Sequence, residues 1–361
     1  MSSSSNFAGA VPSQCARAWQ RGIVHLVAAQ PNSKGGGNGS MRAMIATPPL
    51  NLLPLPGPGP EDVVIDRGGR LLAGLADGRV LAVDPATGTV SELFNTGGRP
   101  LGLEALDDGR VLVCDSPRGL LELEPGAATA RSLVTELDGR PLPFCSNVVV
   151  GRDGTQYFSV SSMRYPVAKY KHDLAERRPT GALYARAPDG ELRCLLDGIF
   201  FANGLALDHD EQWIIVAETG GLCLRRVWLA GPRAGEHEVF ANLPGFPDNL
   251  SMSRDGLIWV AIAAEANKAL ATVHSLPFPL RWLVARLPEA LQPKAPPVAW
   301  VQAFDDAGRL VHDFRWDDGR YSFVTGVCEY EGKVYLGSLV EPAIAWFELP
   351  PKRGDRARPT N

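Results

Sequence analysis

The chain has 361 residues, 45% hydrophobic and 21% charged, with a formal net charge of −4. These values describe an ordinary globular protein, and a slightly acidic chain without a basic stripe argues against nucleic acid as a partner. No stretch approaches the roughly 18 consecutive apolar residues that a membrane-spanning helix needs.

Residues 1–55 differ in composition from the rest of the chain. The run Ser2, Ser3, Ser4, Ser5, the tract Gly35-Gly36-Gly37 and the pair Pro48-Pro49 point to a disordered extension, and no acidic residue precedes Glu61. The apolar run 23–29 behind Arg17 and Arg21 has some character of a signal or transit segment. The reading adopted is an upstream extension without function, with Met41 or Met44 as the working start. A tail over 351–361 is likewise expected to be disordered, which leaves 56–350 as one domain.

From Pro56 onward, short β-rich runs alternate with Asp-Gly, Gly-Gly and Pro-Asp-Gly turns, as in Asp77-Gly78, Asp108-Gly109 and Pro188-Asp189-Gly190. These are hairpin signals, and 38 Gly with 30 Pro suit many turns between short strands. Aligned on their first turns, the units begin near Glu61, Leu101, Asn147, Asn203, Asp248 and Gly326. Six such units predict an all-β fold, a six-bladed β-propeller, because radial repetition protects sheet edges. Insertions at 162–180 and 264–297 break the repeat, the second with helical character over 280–291, and are placed to shape a substrate pocket.

The stretch Pro244-Gly245-Phe246-Pro247-Asp248-Asn249 delivers a carboxylate and an amide to the mouth of the apolar strand 257–262. Glu61, Asn147 and Asn203 occupy the equivalent place in three other units. Glu61, Asn147, Asn203 and Asp248 are therefore read as converging on one cation at a channel mouth. Carboxylates with amide oxygens make a hard-oxygen site suited to Ca²⁺, with Mg²⁺ or Mn²⁺ less well matched. No histidine falls at a unit start, which argues against zinc or iron. Asp248 is the candidate catalytic group, as base or nucleophile. The six cysteines are far apart with no CxxC pair, so they read as buried thiols in a reducing, cytoplasmic setting rather than a zinc site. The implied partner is a small-molecule substrate, and oligomeric state is not legible.

The chain from 56 to 349 resembles the strictosidine synthase-like branch of the calcium-dependent six-bladed propellers, relatives of paraoxonase and regucalcin/gluconolactonase. The residues that carry the resemblance are Gly59-Pro60-Glu61-Asp62, Val113-Cys114-Asp115, Phe201-Ala202-Asn203-Gly204, Pro247-Asp248-Asn249 and Tyr335-Leu336-Gly337-Ser338. The resemblance implies a Ca²⁺ held by Glu61, Asn147, Asn203 and Asp248, with Asn249 as a further ligand, and hydrolysis of lactones, aryl esters or phosphotriesters. The plant synthases carry a catalytic glutamate where this chain has Thr325, which weighs against amine–aldehyde condensation. The paraoxonase histidine position holds Asp115-Ser116-Pro117 here, so the general base stays open. A condensing or lyase enzyme, and a non-catalytic propeller with a structural ion, are the alternatives to a hydrolase.

Overall fold

The structure, a computed structural model, describes residues 47–288 and 296–350. The expected extension over 1–46, the tail 351–361 and the end of the second insertion, 289–295, lie outside the described residues.

Alternating apolar side chains and Asp-Gly turns produce hairpins that stack into four-stranded antiparallel sheets, six of them among the described residues. The Asp77-Gly78 turn shows the local logic: Gly78 takes a φ of 95° that a β-carbon would resist. Blade 1 runs from Val63–Ile65 to Val90–Asn95, blade 2 from Arg99–Ala105 to Arg131–Val134, and blade 3 from Phe144–Val150 to Leu192–Ile199. Blade 4 runs from Ala202–Leu207 to His237–Asn242, and blade 5 from Gly245–Met252 to Leu310–Trp316. Blade 6 comprises Val324–Tyr330, Lys333–Ser338 and Ala343–Glu348.

The fourth strand of blade 6 is Asn51–Pro54, which pairs antiparallel with the last strand, Asn51 opposite Trp346 and Pro54 opposite Ala343. This corrects the expected domain boundary at 55/56. Composition groups 51–54 with the extension, but the strand's partner lies at the far end of the chain, and at the outer edge of a sheet a strand needs hydrogen bonds on one side only. The ring is thus closed by joining its two ends in one blade.

The cores lie between blades. Trp259, Val301 and Phe314 of blade 5 pack on Val334, Leu336 and Phe347 of blade 6. Phe158 and Val160 of blade 3 pack on Leu112, Cys114 and Leu120 of blade 2. Each blade therefore needs its neighbour to bury its face, which makes the ring one cooperative unit.

Both insertions fold over one end of the channel. Helix α1 (Tyr170–Glu176) belongs to the blade 3 insertion, and α2 (Lys268–Ser275) and α3 (Phe278–Ala285) to that of blade 5. Helicity in the second insertion starts earlier than expected, because Asn267 caps α2 by accepting from the Leu270 N–H at 2.7 Å. The three helices pack on one another. His274 Nε2 lies 2.9 Å from the Leu174 carbonyl oxygen, and Arg286 pairs with Glu176 at 2.8 Å.

Candidate active site at the channel floor

In five blades the innermost strand carries a one-residue bulge against its neighbour. Pro100 faces Asp115 but Leu103 faces Val113, and the same slip separates Cys145 from Val148, Ala202 from Leu205, Pro247 from Leu250 and Val324 from Val327. A bulge lets two successive residues turn to the same side, which regular strand alternation forbids. The residues so doubled are Leu101-Gly102, Ser146-Asn147, Asn203-Gly204, Asp248-Asn249 and Thr325-Gly326. In blade 1 the equivalent pair, Glu61-Asp62, immediately precedes the first strand, with the Glu61 N–H donating to the Gly74 carbonyl at 3.2 Å.

Two layers result. The upper members, Glu61, Leu101, Ser146, Asn203, Asp248 and Thr325, all line a cavity of about 690 Å³ beneath the helices. In the lower layer Asp62, Asn147 and Asn249 alternate with glycines. A β-carbon on Gly102 would lie 2.5 Å from the Asn147 Cα, one on Gly204 2.3 Å from the Asn249 Cα, and one on Gly326 2.9 Å from the Asp62 Cα. Three side chains fill the axis at this level only because the three between them are absent.

Hydrogen bonds tie the layers together. The Leu205 N–H donates to Asn147 Oδ1 at 3.2 Å, Asn147 Nδ2 donates to Asn249 Oδ1 at 3.1 Å, and Asn249 Nδ2 donates to Glu61 Oε2 at 3.1 Å. Asn147 Nδ2 also reaches Asp62 Oδ2 at 3.3 Å, an oxygen that accepts from the Leu103 N–H at 3.1 Å. In the upper layer the Ser146 hydroxyl donates to Asn203 Oδ1 at 2.9 Å, and the Thr219 hydroxyl to the Pro247 carbonyl at 2.7 Å. The Thr325 hydroxyl donates to the Glu61 carbonyl at 2.6 Å.

Glu61, Asn203 and Asp248 thus share the cavity floor, whereas Asn147 and Asn249 sit one layer lower as an amide bridge. Ser146, not Asn147, is the blade 3 counterpart of Glu61 and Asp248. Aligning units on their first turns could not show this, because a bulge shifts register by one residue. Ser146, Thr219 and Asp62 are further floor residues that the sequence reading did not pick out: Ser146 is hidden by the register shift, and a lone threonine in the turn 219–221 or an acid next to Glu61 carries no signal of its own.

The floor is electrostatically frustrated. Burial, then the charges of Asp248 and Asp62, push the Glu61 carboxyl well above the ordinary range. Burial raises Asp248 to about 8 against the help of an Asn203 hydrogen bond, and raises Asp62 to about 6. Asp248 Oδ1 is buried without any hydrogen-bond partner. Among the described residues no three His, Cys, Asp or Glu side chains form a metal cluster; the floor instead pairs carboxylates with amides. An orphaned carboxylate oxygen beside a second acid fits a hard divalent cation. Glu61, Asn203 and Asp248 would hold it; the Asn147 and Asn249 oxygens one layer lower accept from the Leu205 N–H and the Asn147 amide instead, which corrects their expected place among the ligands.

The raised acids give a sign for pH dependence. A carboxyl whose folded pKa lies above its unfolded value costs stability as pH rises through that window. Without divalent cation, the melting temperature should therefore fall between pH 5 and pH 8, and Ca²⁺ should remove most of that fall. A chelated protein that melts at the same or higher temperature at pH 8 would contradict the frustrated floor.

A model of the SMP-30/gluconolactonase/LRE-like region matches residues 74–270, more than half of the chain. The chain belongs to this family. A strictosidine synthase-like N-terminal model also matches residues 50–83. Protein STRICTOSIDINE SYNTHASE-LIKE 10 of Arabidopsis thaliana is 31% identical over 322 residues, covering 81% of this chain and 85% of the relative. The adipocyte plasma membrane-associated protein of Mus musculus is 31% identical over 314 residues, covering 81% and 75%. Among solved structures, a gluconolactonase from Xanthomonas campestris superposes with a TM-score of 0.62 at 19% identity, covering 83% of this chain and 89% of that one. The regucalcin of Agrobacterium tumefaciens gives 0.59 at 15% identity, covering 84% and 96%. At these identities the two structures show the fold, a six-bladed propeller of the gluconolactonase type.

The relatives also correct the expected cytoplasmic location: matched family members are named for association with the plasma membrane, in mouse and in rat. Dispersed cysteines rule out a CxxC site but do not report a compartment. Linear spacing also hides that Cys114 and Cys145, from different blades, bring their sulfurs to 3.1 Å. Among the described residues no helix is long and apolar enough to cross a membrane.

Proposed function

We propose that this propeller hydrolyses lactones or aryl esters with a divalent cation, Ca²⁺ foremost, at the channel floor. The observation that carries the reading is the unpartnered Asp248 Oδ1 beside Glu61 at the one acidic end of a mostly apolar cavity. The gluconolactonase name of the Xanthomonas campestris structure supports the reaction class.

The cavity wall is built by Leu101, Phe144, Phe201, Phe246, Leu270 and Val284, so it takes an apolar body and leaves the carbonyl to the polar floor. A bound divalent cation supplies Lewis-acid polarisation of that carbonyl. Asp248 accepts a proton from the attacking water as the water oxygen bonds to the carbonyl carbon. The same proton then passes to the departing alkoxide or phenoxide as the ester C–O bond breaks. Asn203, fixed by the Ser146 hydroxyl, and Glu61, fixed by Asn249, hold the floor in shape. The Thr325 hydroxyl is spent on the Glu61 carbonyl and offers no base for condensation.

The test is turnover of a panel of lactones and aryl esters with and without chelator. At least one substrate should be hydrolysed, activity should vanish on chelation and return with Ca²⁺, and tryptamine should not condense with aldehydes. Hydrolysis that persists after elemental analysis confirms cation removal would refute the cation-dependent reading. Cation binding with no turnover of any substrate would make this a binding propeller.

A further inference from the structure

The helical cap is charged oppositely to the molecule that carries it. Residues 162–180 and 264–288 hold eight Lys or Arg against three Asp or Glu, in a chain whose net charge is −4. All three acids are engaged internally. Asp173 accepts from the Ser162 hydroxyl, Glu265 pairs with Arg315, and buried Glu176 is shared by Arg164, Arg286 and the Tyr165 hydroxyl. Arg281 is left poorly compensated. Its Nη1 lies 3.5 Å from the Arg177 carbonyl, and its Nε is buried with no partner. Burial first, then the charges of Arg177 and Arg178, act against its protonated form. A cluster of like charges held together in this way wants an anion.

Beside the cluster, α3 divides its faces. Val284 and Ala285 line the cavity, while Leu280, Trp282 and Leu283 are 48, 43 and 56% exposed. Guanidiniums lie over the neighbouring rings, Arg178 at 3.8 Å from the Phe278 centroid and Arg286 at 3.9 Å from that of Trp282. An exposed apolar patch alone would suit any hydrophobic partner. Arg286 stacked on exposed Trp282, with Arg178 on Phe278 of the same helix, puts cations beside an exposed Leu-Trp-Leu set and selects a partner that is apolar inside and anionic at its surface. A convex helix flanked by arginines presents to a plane rather than to an inserted chain.

We propose that this cap docks on an anionic phospholipid surface. Leu280, Trp282 and Leu283 enter the boundary between headgroups and acyl chains, and the Arg177, Arg178 and Arg281 cluster meets the phosphodiesters. Since Val284 and Ala285 of the same helix line the cavity, a docked molecule holds the cavity against the lipid.

Co-sedimentation of the full chain with phosphatidylcholine vesicles, with and without phosphatidylserine, tests the proposal. Binding should require phosphatidylserine and weaken with salt. Arg281→Gln should lower it about fivefold, and the triple variant L280S/W282S/L283S on the order of 100-fold. Leu280, Trp282 and Leu283 are about half exposed, so the variant should stay folded with only a modest fall in melting temperature, and hydrolysis of a soluble ester should be unchanged. Loss of lipid docking is therefore separable from failure of the hydrolase reading. Equal binding to neutral and anionic vesicles, binding untouched by the triple variant, or no binding by the unaltered chain would each overturn the proposal. A dimer that the triple variant converts to monomer, without vesicle binding, would assign the patch to a second copy instead.

Discussion

Asp248→Asn is expected to lower turnover of a lactone or aryl ester by about 10²-fold or more at saturating Ca²⁺, because an amide accepts no proton from water. The same change should raise the melting temperature of the cation-free protein at pH 8. Burial lifts the Asp248 carboxyl to about 8, so below its unfolded range it is neutral in both states and costs nothing. As pH climbs toward 8 the unfolded chain ionises while the folded floor resists, and stability is lost. The amide has the same shape and no charge to desolvate, so the gain over the wild type should grow between pH 5 and pH 8. Opposite signs for activity and stability are the mark of a functional carboxylate held in an unfavourable place. Asp248→Asn that leaves kcat intact at saturating Ca²⁺ would reduce Asp248 to a binding group. A cation-free variant less stable than the wild type at pH 8 would show that Asp248 is not a strained acid.

Gly204→Ala should destabilise the propeller by about 3 kcal/mol, at the upper end of overpacking effects, and abolish activity with it. The added β-carbon would lie 2.3 Å from both the Asn249 Cα and the Leu250 nitrogen. These are backbone atoms of the next blade's innermost strand, which cannot rotate aside as a side-chain tip would. Relief requires the strands of blades 4 and 5 to separate, which moves Asp248-Asn249 and breaks the amide bridge to Glu61. Gly68→Ala is the control: its β-carbon meets only the Asp66 Oδ1, at 3.3 Å, and its cost should stay within about 0.5 kcal/mol. Denaturant midpoints compare the two. A Gly204→Ala protein with an unchanged midpoint and full activity would mean that the axial layer is looser than its close contacts describe.

The sequence alone determined the repeat. Asp-Gly turns and two-residue alternation are local chemistry, so the six units beginning near Glu61, Leu101, Asn147, Asn203, Asp248 and Gly326 were legible, and with them the propeller and its family. The insertions were legible as interruptions of that period. Only the tertiary structure decided how each unit meets the axis. Whether one residue of a bulged strand or two face inward depends on the pairing of that strand with its neighbour, so Ser146 could not be told from Asn147. Nor could Gly102, Gly204 and Gly326 be read as the spaces that Asn147, Asn249 and Asp62 require, since each contact joins separate blades. The closing strand Asn51–Pro54 was hidden for the same reason, its partner Ala343–Trp346 lying at the far end of the chain. Period is written residue by residue along a chain, whereas register and close approach are properties of pairs, and pairs exist only once the ring has closed.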